Sequence, residues 1–336
     1  MIIMKRKISI VLASLLFAVG FAACGDGKEE KEVVVYMPDG APALALAGLM
    51  AEDTAEDGVT YNVVPATAIA SKVTYKEEEK NADLCVMPIT AASKLLGNGE
   101  KYQMLGAVTH GNLYLINKFG EEVSSDMSSL IGETVGVLQI NEVPGLTFKA
   151  TLNKYGIPWQ ELTSDGIKAV DKVNLVAISG PEAVGAIDAD FYMIAEPAAS
   201  AQANKGYSIV GNLQTLYGGE NGYPQAVLVA KKSLVEEKPQ WVKEFVSKVE
   251  GSAEWLSTAS GEEIVAAVSA HMEDEGTATS LKAPLLSSAV LGRCGIYFTY
   301  AADCMVEVEG FLNGMMAINS KAAAIPSQEF YWEYTK

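Results

Sequence analysis

One short unit recurs along this chain, and its recurrence narrows the possible folds more than any other feature. The unit is a β-rich run, a turn, then a helical pattern. Val33-Val34-Val35-Tyr36-Met37 is a compact strand closed by the turn Pro38-Asp39-Gly40. A helix follows over 43–56, entered through Pro42, where the missing N–H costs nothing. A second strand at 60–64 leads into Pro65-Ala66-Thr67-Ala68 and a helical stretch. A third at 82–87 leads into Pro88-Ile89-Thr90 and a helix over 91–96, and strands at 104–109 and 113–117 complete the series. The pattern then restarts: a strand at 134–138, a turn with Pro144-Gly145, a helix over 146–155 ended by Gly156, and strands at 173–178 and 191–194. A strand at 223–230 precedes a mostly helical remainder. There the 240–256 segment places Trp241, Val242, Phe245, Val246, Val249 and Trp255 at helical spacing, and 306–316 repeats the pattern. Two successive series of this kind imply an α/β protein of two lobes, each a mostly parallel sheet flanked by helices.

The segment ahead of the first strand reads as an export signal. Lys5, Arg6 and Lys7 precede an apolar run over 8–21, short for a membrane span of roughly 20 residues. Phe21-Ala22-Ala23-Cys24-Gly25 looks like a bacterial lipobox, which implies removal of residues 1–23 and a diacylglycerol on Cys24. The alternative is an ordinary signal peptide that happens to hold a cysteine. The polar residues 24–32 suit a flexible tether. The expected location is extracytoplasmic, anchored to the cell membrane by lipid.

The formal charge is −17, and −20 once Lys5, Arg6 and Lys7 leave with the signal. Such acidity repels nucleic acid, and no basic patch opposes it. The chain has two arginines, Arg6 and Arg293. Beyond Cys24 three cysteines remain: Cys85 in an apolar strand, and Cys294 and Cys304, either free or bridged. No phosphate-binding glycine loop, no serine–histidine–acid order and no His/Cys metal spacing is present, so no metal and no cofactor is expected. The run Glu77-Glu78-Glu79-Lys80 reads as a solvated face, and His271, beside Glu273 and Asp274, as surface.

Four segments carry a family resemblance. They are Val35-Tyr36-Met37-Pro38-Asp39-Gly40-Ala41-Pro42; Ala82-Asp83-Leu84-Cys85-Val86-Met87-Pro88; the run from Ala186-Ile187-Asp188-Ala189 to Glu196-Pro197; and the run from Gly222-Tyr223-Pro224 through Lys238-Pro239-Gln240-Trp241-Val242 to Phe245. In order and spacing they resemble the type II periplasmic binding proteins, in the group of sulfonate, nitrate, taurine and thiamine-pyrimidine-precursor receptors of ABC importers. The resemblance covers roughly residues 33–320. Ala186 stands where the family often has Gly. The resemblance implies a first lobe of 33–115 plus 222–336, a second of 116–221, and crossovers near 112–118 and 217–223. Gly111, Gly218, Gly219 and Gly222 sit there, which suits a changing backbone. It further implies a small-molecule ligand, a membrane permease as partner, a monomer and no catalysis.

In open α/β sheets, ligands bind beyond the carboxyl ends of the strands, where loops meet helix N-termini. This selects Asp39, Gly40, Ala41, Pro42, Ala66, Thr67, Pro88, Ile89, Thr90, His110 and Asn112 from the first lobe. From the second it selects Gln139, Asn141, Val143, Pro144, Gly145, Ser179, Gly180 and Glu196. Gly40 and Gly145 would bring backbone N–H groups close to a ligand. Thr67, Thr90, Asn112 and Asn141 would orient polar groups. Glu196 either accepts from a ligand amine or amino-pyrimidine or braces the lobe interface, and Asp39 either meets the ligand or makes its turn. Tyr114, Tyr217 and Tyr223 either wall the site or pack the crossovers, and His110 is either a ligand contact or a hydrogen-bonded hinge residue.

The site loops lack arginine, which favours a heterocyclic or amine-bearing ligand over an anion. Helix N-termini alone can hold a sulfonate or nitrate, so a receptor for such an anion is the alternative. Two further rivals are an enzyme on the same fold and an exported sensor or adhesin subunit with no importer.

Overall fold

The protein is described from a computed structural model over residues 32–53, 58–163, 166–274 and 276–334. The leader, Cys24 and nearly all of the expected tether lie outside these residues, as does the end of the helix expected over 43–56.

The strands in chain order are β1 (Val33–Pro38), β2 (Val59–Val64), β3 (Leu84–Pro88) and β4 (Tyr102–Thr109), then β5 (Leu113–Asn117), β6 (Thr134–Leu138), β7 (Trp159–Glu161), β8 (Val173–Ile178), β9 (Phe191–Ala195) and β10 (Ser208–Asn212), and finally β11 (Ala226–Lys231) and β12 (Ile296–Tyr300). They form two six-stranded sheets, ordered β12-β4-β11-β3-β1-β2 and β10-β5-β9-β6-β8-β7. Each sheet has a parallel half, where helices return the chain, and an antiparallel half, where the chain passes between sheets.

The register fixes how the sheets face. Thr109 at the end of β4 pairs with Ala226 at the start of β11. Leu113 at the start of β5 pairs with Ala195 at the end of β9, and Asn212 at the end of β10 pairs with Tyr114. Both connections, 110–112 and 213–225, therefore join the two sheets at the carboxyl ends of their parallel strands. The first connection comes earlier than the sequence suggested: residues 113–115, expected in the first lobe, belong to β5 of the second sheet.

Alternation along the strands explains the burial. Val35, Met37, Leu84 and Val86 pack on one face of the first sheet against the helices Ala47–Ala51, Pro239–Thr258 and Gly261–Ala270. Cys85, Met87 and Met104 point to the other face, into a core that continues through Phe311, Leu312 and Met315 to Leu115 of the second sheet and to Phe148 and Leu152 of the helix Val143–Lys154 beside it. Each such side chain, taken fully from water, contributes about 1.5–3 kcal/mol. The helix Ala301–Ile318 carries this continuity by packing on Val143–Lys154.

Two further sequence expectations need correction. The single helix over 43–56 is two short ones, Ala41–Leu44 and Ala47–Ala51. His271 is no surface residue: its ring is half-buried, Nε2 lies 3.1 Å from Asp53 Oδ2 and Nδ1 2.7 Å from the Ala267 carbonyl. Its segment also covers the sheet edge, because Val63 N–H donates to the His271 carbonyl and Glu273 N–H to that of Val63. The charge run at 77–80 is exposed, as expected. Cys85, Cys294 and Cys304 are free and buried.

Candidate functional site

The loops after β1, β2 and β3 and those after β6, β8 and β9 lie at the ends of their sheets that the crossovers join. Among the candidate residues, one group stays open to solvent there. Gly40 takes a φ of +96°, which lets the chain turn from β1 into Ala41 and Pro42, all half-buried. Thr67 is exposed and Pro88 half-buried. On the second sheet Gln139, Asn141 and Ser179 are exposed, and Val143 and Pro144 are half-buried. Gln139 holds a φ of +48°, an uncommon backbone for a residue with a side chain, at the turn into the helix Val143–Lys154. Gly145 is required by packing, since an added Cβ would collide with the Ile140 backbone.

A groove of about 550 Å³ opens at the ends of β6 and β8. Ile140, Ala177, Ile178, Ala183 and Ile187 give it apolar walls, and Gln139, Asn141, Ser179 and the exposed carboxylate-bearing Glu142 give it polar groups. A second groove, of about 490 Å³, lies beside the second crossover between the helices Val143–Lys154 and Ala301–Ile318.

The remaining candidates are built into the protein. Asp39 is engaged by its own lobe: Oδ1 accepts from Gly40 N at 2.9 Å and Thr279 Oγ1 at 2.5 Å, and Oδ2 from Ser280 N at 2.7 Å. Ile89 and Thr90 are buried, and Ile89 N–H donates to the Gln225 carbonyl. Gly180 is buried beside the Glu182 carboxylate. His110 is stacked on Tyr297 with ring centroids 3.6 Å apart, its Nε2 3.1 Å from Thr299 Oγ1. Burial pushes the imidazole down to about 4, against an opposing pull from Gly295. Asn112 donates through Nδ2 to the Glu196 carbonyl at 3.1 Å, and its own carbonyl accepts Glu196 N–H at 2.8 Å. Tyr114 is buried with its hydroxyl donating to the Arg293 carbonyl at 3.0 Å. Tyr223 is buried and stacked on Phe311 at 5.0 Å, with Tyr217 edge-on to both rings.

Glu196 follows β9, at a cis bond to Pro197. Its side chain has no exposed surface. Oε1 accepts from Arg293 Nε at 2.6 Å and Ser200 Oγ at 2.7 Å, and Oε2 from Ser200 N at 3.0 Å. Arg293 Nη2 also donates to Ser200 Oγ at 2.6 Å. Both carboxylate oxygens are thus held within the protein. Arg293 and Thr279-Ser280 went unrecognised as site neighbours. The rarity of arginine was the one sequence signal that singled out Arg293.

Neither a protein-family model nor a curated protein matches the sequence. Solved structures do. An ABC transporter protein from Parabacteroides distasonis superposes with a TM-score of 0.68 at 19% identity, over 91% of this chain and 100% of that one. The periplasmic aliphatic sulphonate binding protein SsuA of Escherichia coli gives 0.64 at 12%, over 91% and 93%. This chain has the fold of the type II periplasmic binding proteins. A putative SsuA from Methylobacillus flagellatus KT adds a third likeness, with a TM-score of 0.53 at 14% identity over 89% of this chain and 92% of that one. Among the described residues no helix is long and apolar enough to cross a membrane, and no group of three His, Cys, Asp or Glu residues is placed to hold a metal.

Proposed function

We propose that this chain is the non-catalytic, substrate-binding lipoprotein of an ABC importer, which captures a small molecule between its two lobes and presents it to a membrane permease. The observation that carries this reading is the register: both connections join the sheets at the carboxyl ends of the parallel strands, so that two sets of ligand-competent loops oppose each other. Cys24, lipidated after loss of residues 1–23, anchors the receptor outside the cell membrane, and the polar residues 24–32 act as its tether. The first lobe comprises 33–112 plus 222–336 and the second 113–221. Gly40–Pro42, Thr67 and Pro88 contact the guest from one lobe, and Gln139, Asn141, Val143, Pro144 and Ser179 from the other.

The guest is a small heterocycle. The groove at β6 and β8 has apolar walls with amide and hydroxyl groups and one carboxylate, Glu142, but no basic side chain, and the arginine is already bonded to Glu196 and Ser200. A sulfonate is the second reading, favoured by the two similar structures named as sulfonate-binding proteins. A thermal-shift panel of pyrimidine precursors, sulfonates, nitrate and amino acids tests both. A true ligand at a hundred times its Kd stabilises the fold by about 2.7 kcal/mol. Shifts from sulfonates alone would refute the heterocycle, and no shift from any small molecule would refute the receptor. Metabolic labelling with a fatty acid tests the anchor: label should enter the protein and vanish in Cys24→Ser.

A further inference from the structure

We propose that Arg293 and Glu196 form a latch that holds the two lobes together before any ligand arrives. The proposal rests on the two-lobed receptor reading and adds a determinant of affinity that lies apart from the ligand-facing loops. The two residues come from opposite sides. Arg293 ends the helix Ser288–Arg293, which packs on Pro239–Thr258 of the first lobe, and Glu196 follows β9 of the second. Their 2.6 Å contact therefore crosses between lobes.

Burial makes the contact strong enough to matter. The Glu196 side chain has no exposed surface, whereas that of Arg293 is 34% exposed. A buried carboxylate is tolerated as an ion only while its partners stay in place. Separation of the lobes would leave it with Ser200 alone. The guanidinium also makes two directed bonds, from Nε to Glu196 and from Nη2 to Ser200 Oγ, a fork that lysine cannot reproduce.

Two further residues keep the latch from sliding. Tyr114 of β5 donates its hydroxyl to the Arg293 carbonyl, a second tie from the second sheet to the same residue. Asn112, in the first crossover, exchanges two hydrogen bonds with the Glu196 backbone and fixes the carboxylate to the pivot. The latch thereby biases the open and closed populations of the empty receptor, and apparent affinity scales with the competent fraction.

Small-angle scattering from the ligand-free mature protein tests this. Arg293→Gln should raise the radius of gyration above that of the wild type, and Arg293→Lys should raise it less. A radius unchanged in Arg293→Gln overturns the latch, even if the melting temperature falls, because a purely local brace would lower stability without opening the lobes. Should Arg293→Gln fail to fold, Ser200→Ala removes the bridging hydroxyl and no charge. Its radius should rise slightly, and an unchanged radius there overturns the proposal equally. Failure of the receptor reading would appear separately, as a wild-type protein that captures no small molecule whatever its radius.

Discussion

A side chain at Gly111 would run into Tyr223: an added Cβ there lies 2.6 Å from Cζ of the tyrosine. Gly111 also holds a φ of +86°, and Tyr223 is pinned from the other side by Phe311. The first crossover thus presses directly on the second. Gly111→Ala should lose about 1–3 kcal/mol through strain and overpacking, read as a lower midpoint in urea. A midpoint within error of the wild type would show that the crossovers are looser than this contact implies.

His110 should confer a pH dependence of a defined sign. The imidazole takes up its proton near 6.5 when unfolded and near 4 in the fold, because it is buried. Between those values the unfolded state binds more protons, so stability falls as pH drops from 6.5 towards 4 and this contribution levels off below. The whole effect is about 3 kcal/mol at most, at about 1.4 kcal/mol per pH unit. Denaturation of the wild type and of His110→Gln across this range should diverge in slope. Parallel curves would place the histidine in water.

Asp39 should act on the rim of the first lobe. Asp39→Ala removes the acceptors of Thr279 Oγ1 and Ser280 N, and should cost about 1–3 kcal/mol. Amide exchange at Ser280 should accelerate more than at β1. Equal protection in both proteins would mean that the 279–280 segment is held by something else.

The thiols should be silent in the folded state. Burial pushes Cys294 and Cys304 up to about 12 and Cys85 higher still. A folded Cys24→Ser protein should give no reaction with a thiol reagent at pH 8 and three equivalents when denatured. Fewer than three on denaturation would reveal a bridge between Cys294 and Cys304.

Much of the fold was readable because its strands are short, apolar and bounded by turns. β1 with Pro38-Asp39-Gly40 and β6 with its following Pro144-Gly145 show this plainly. The residues 296–300 gave no such signal. They form a half-exposed edge strand whose partner β4 is remote in sequence, so only tertiary pairing defines it. The break between Ala41–Leu44 and Ala47–Ala51 was hidden because that segment is apolar on all sides and has no periodicity to interrupt. The candidate site was legible as loops but not as side-chain roles. Position after a strand picks out Glu196 and Asp39, and position at a crossover picks out Tyr223, yet whether each faces a guest or the protein depends on Arg293, Thr279 and Phe311, which lie far along the chain.

Hydrogen exchange, with and without a compound that shifts the melt, tests the central claim most directly. Capture between the lobes should slow exchange together in the loops 40–42 and 88–91 of the first lobe and 139–145 of the second. Protection confined to one lobe, or to the groove beside the second crossover, would contradict it.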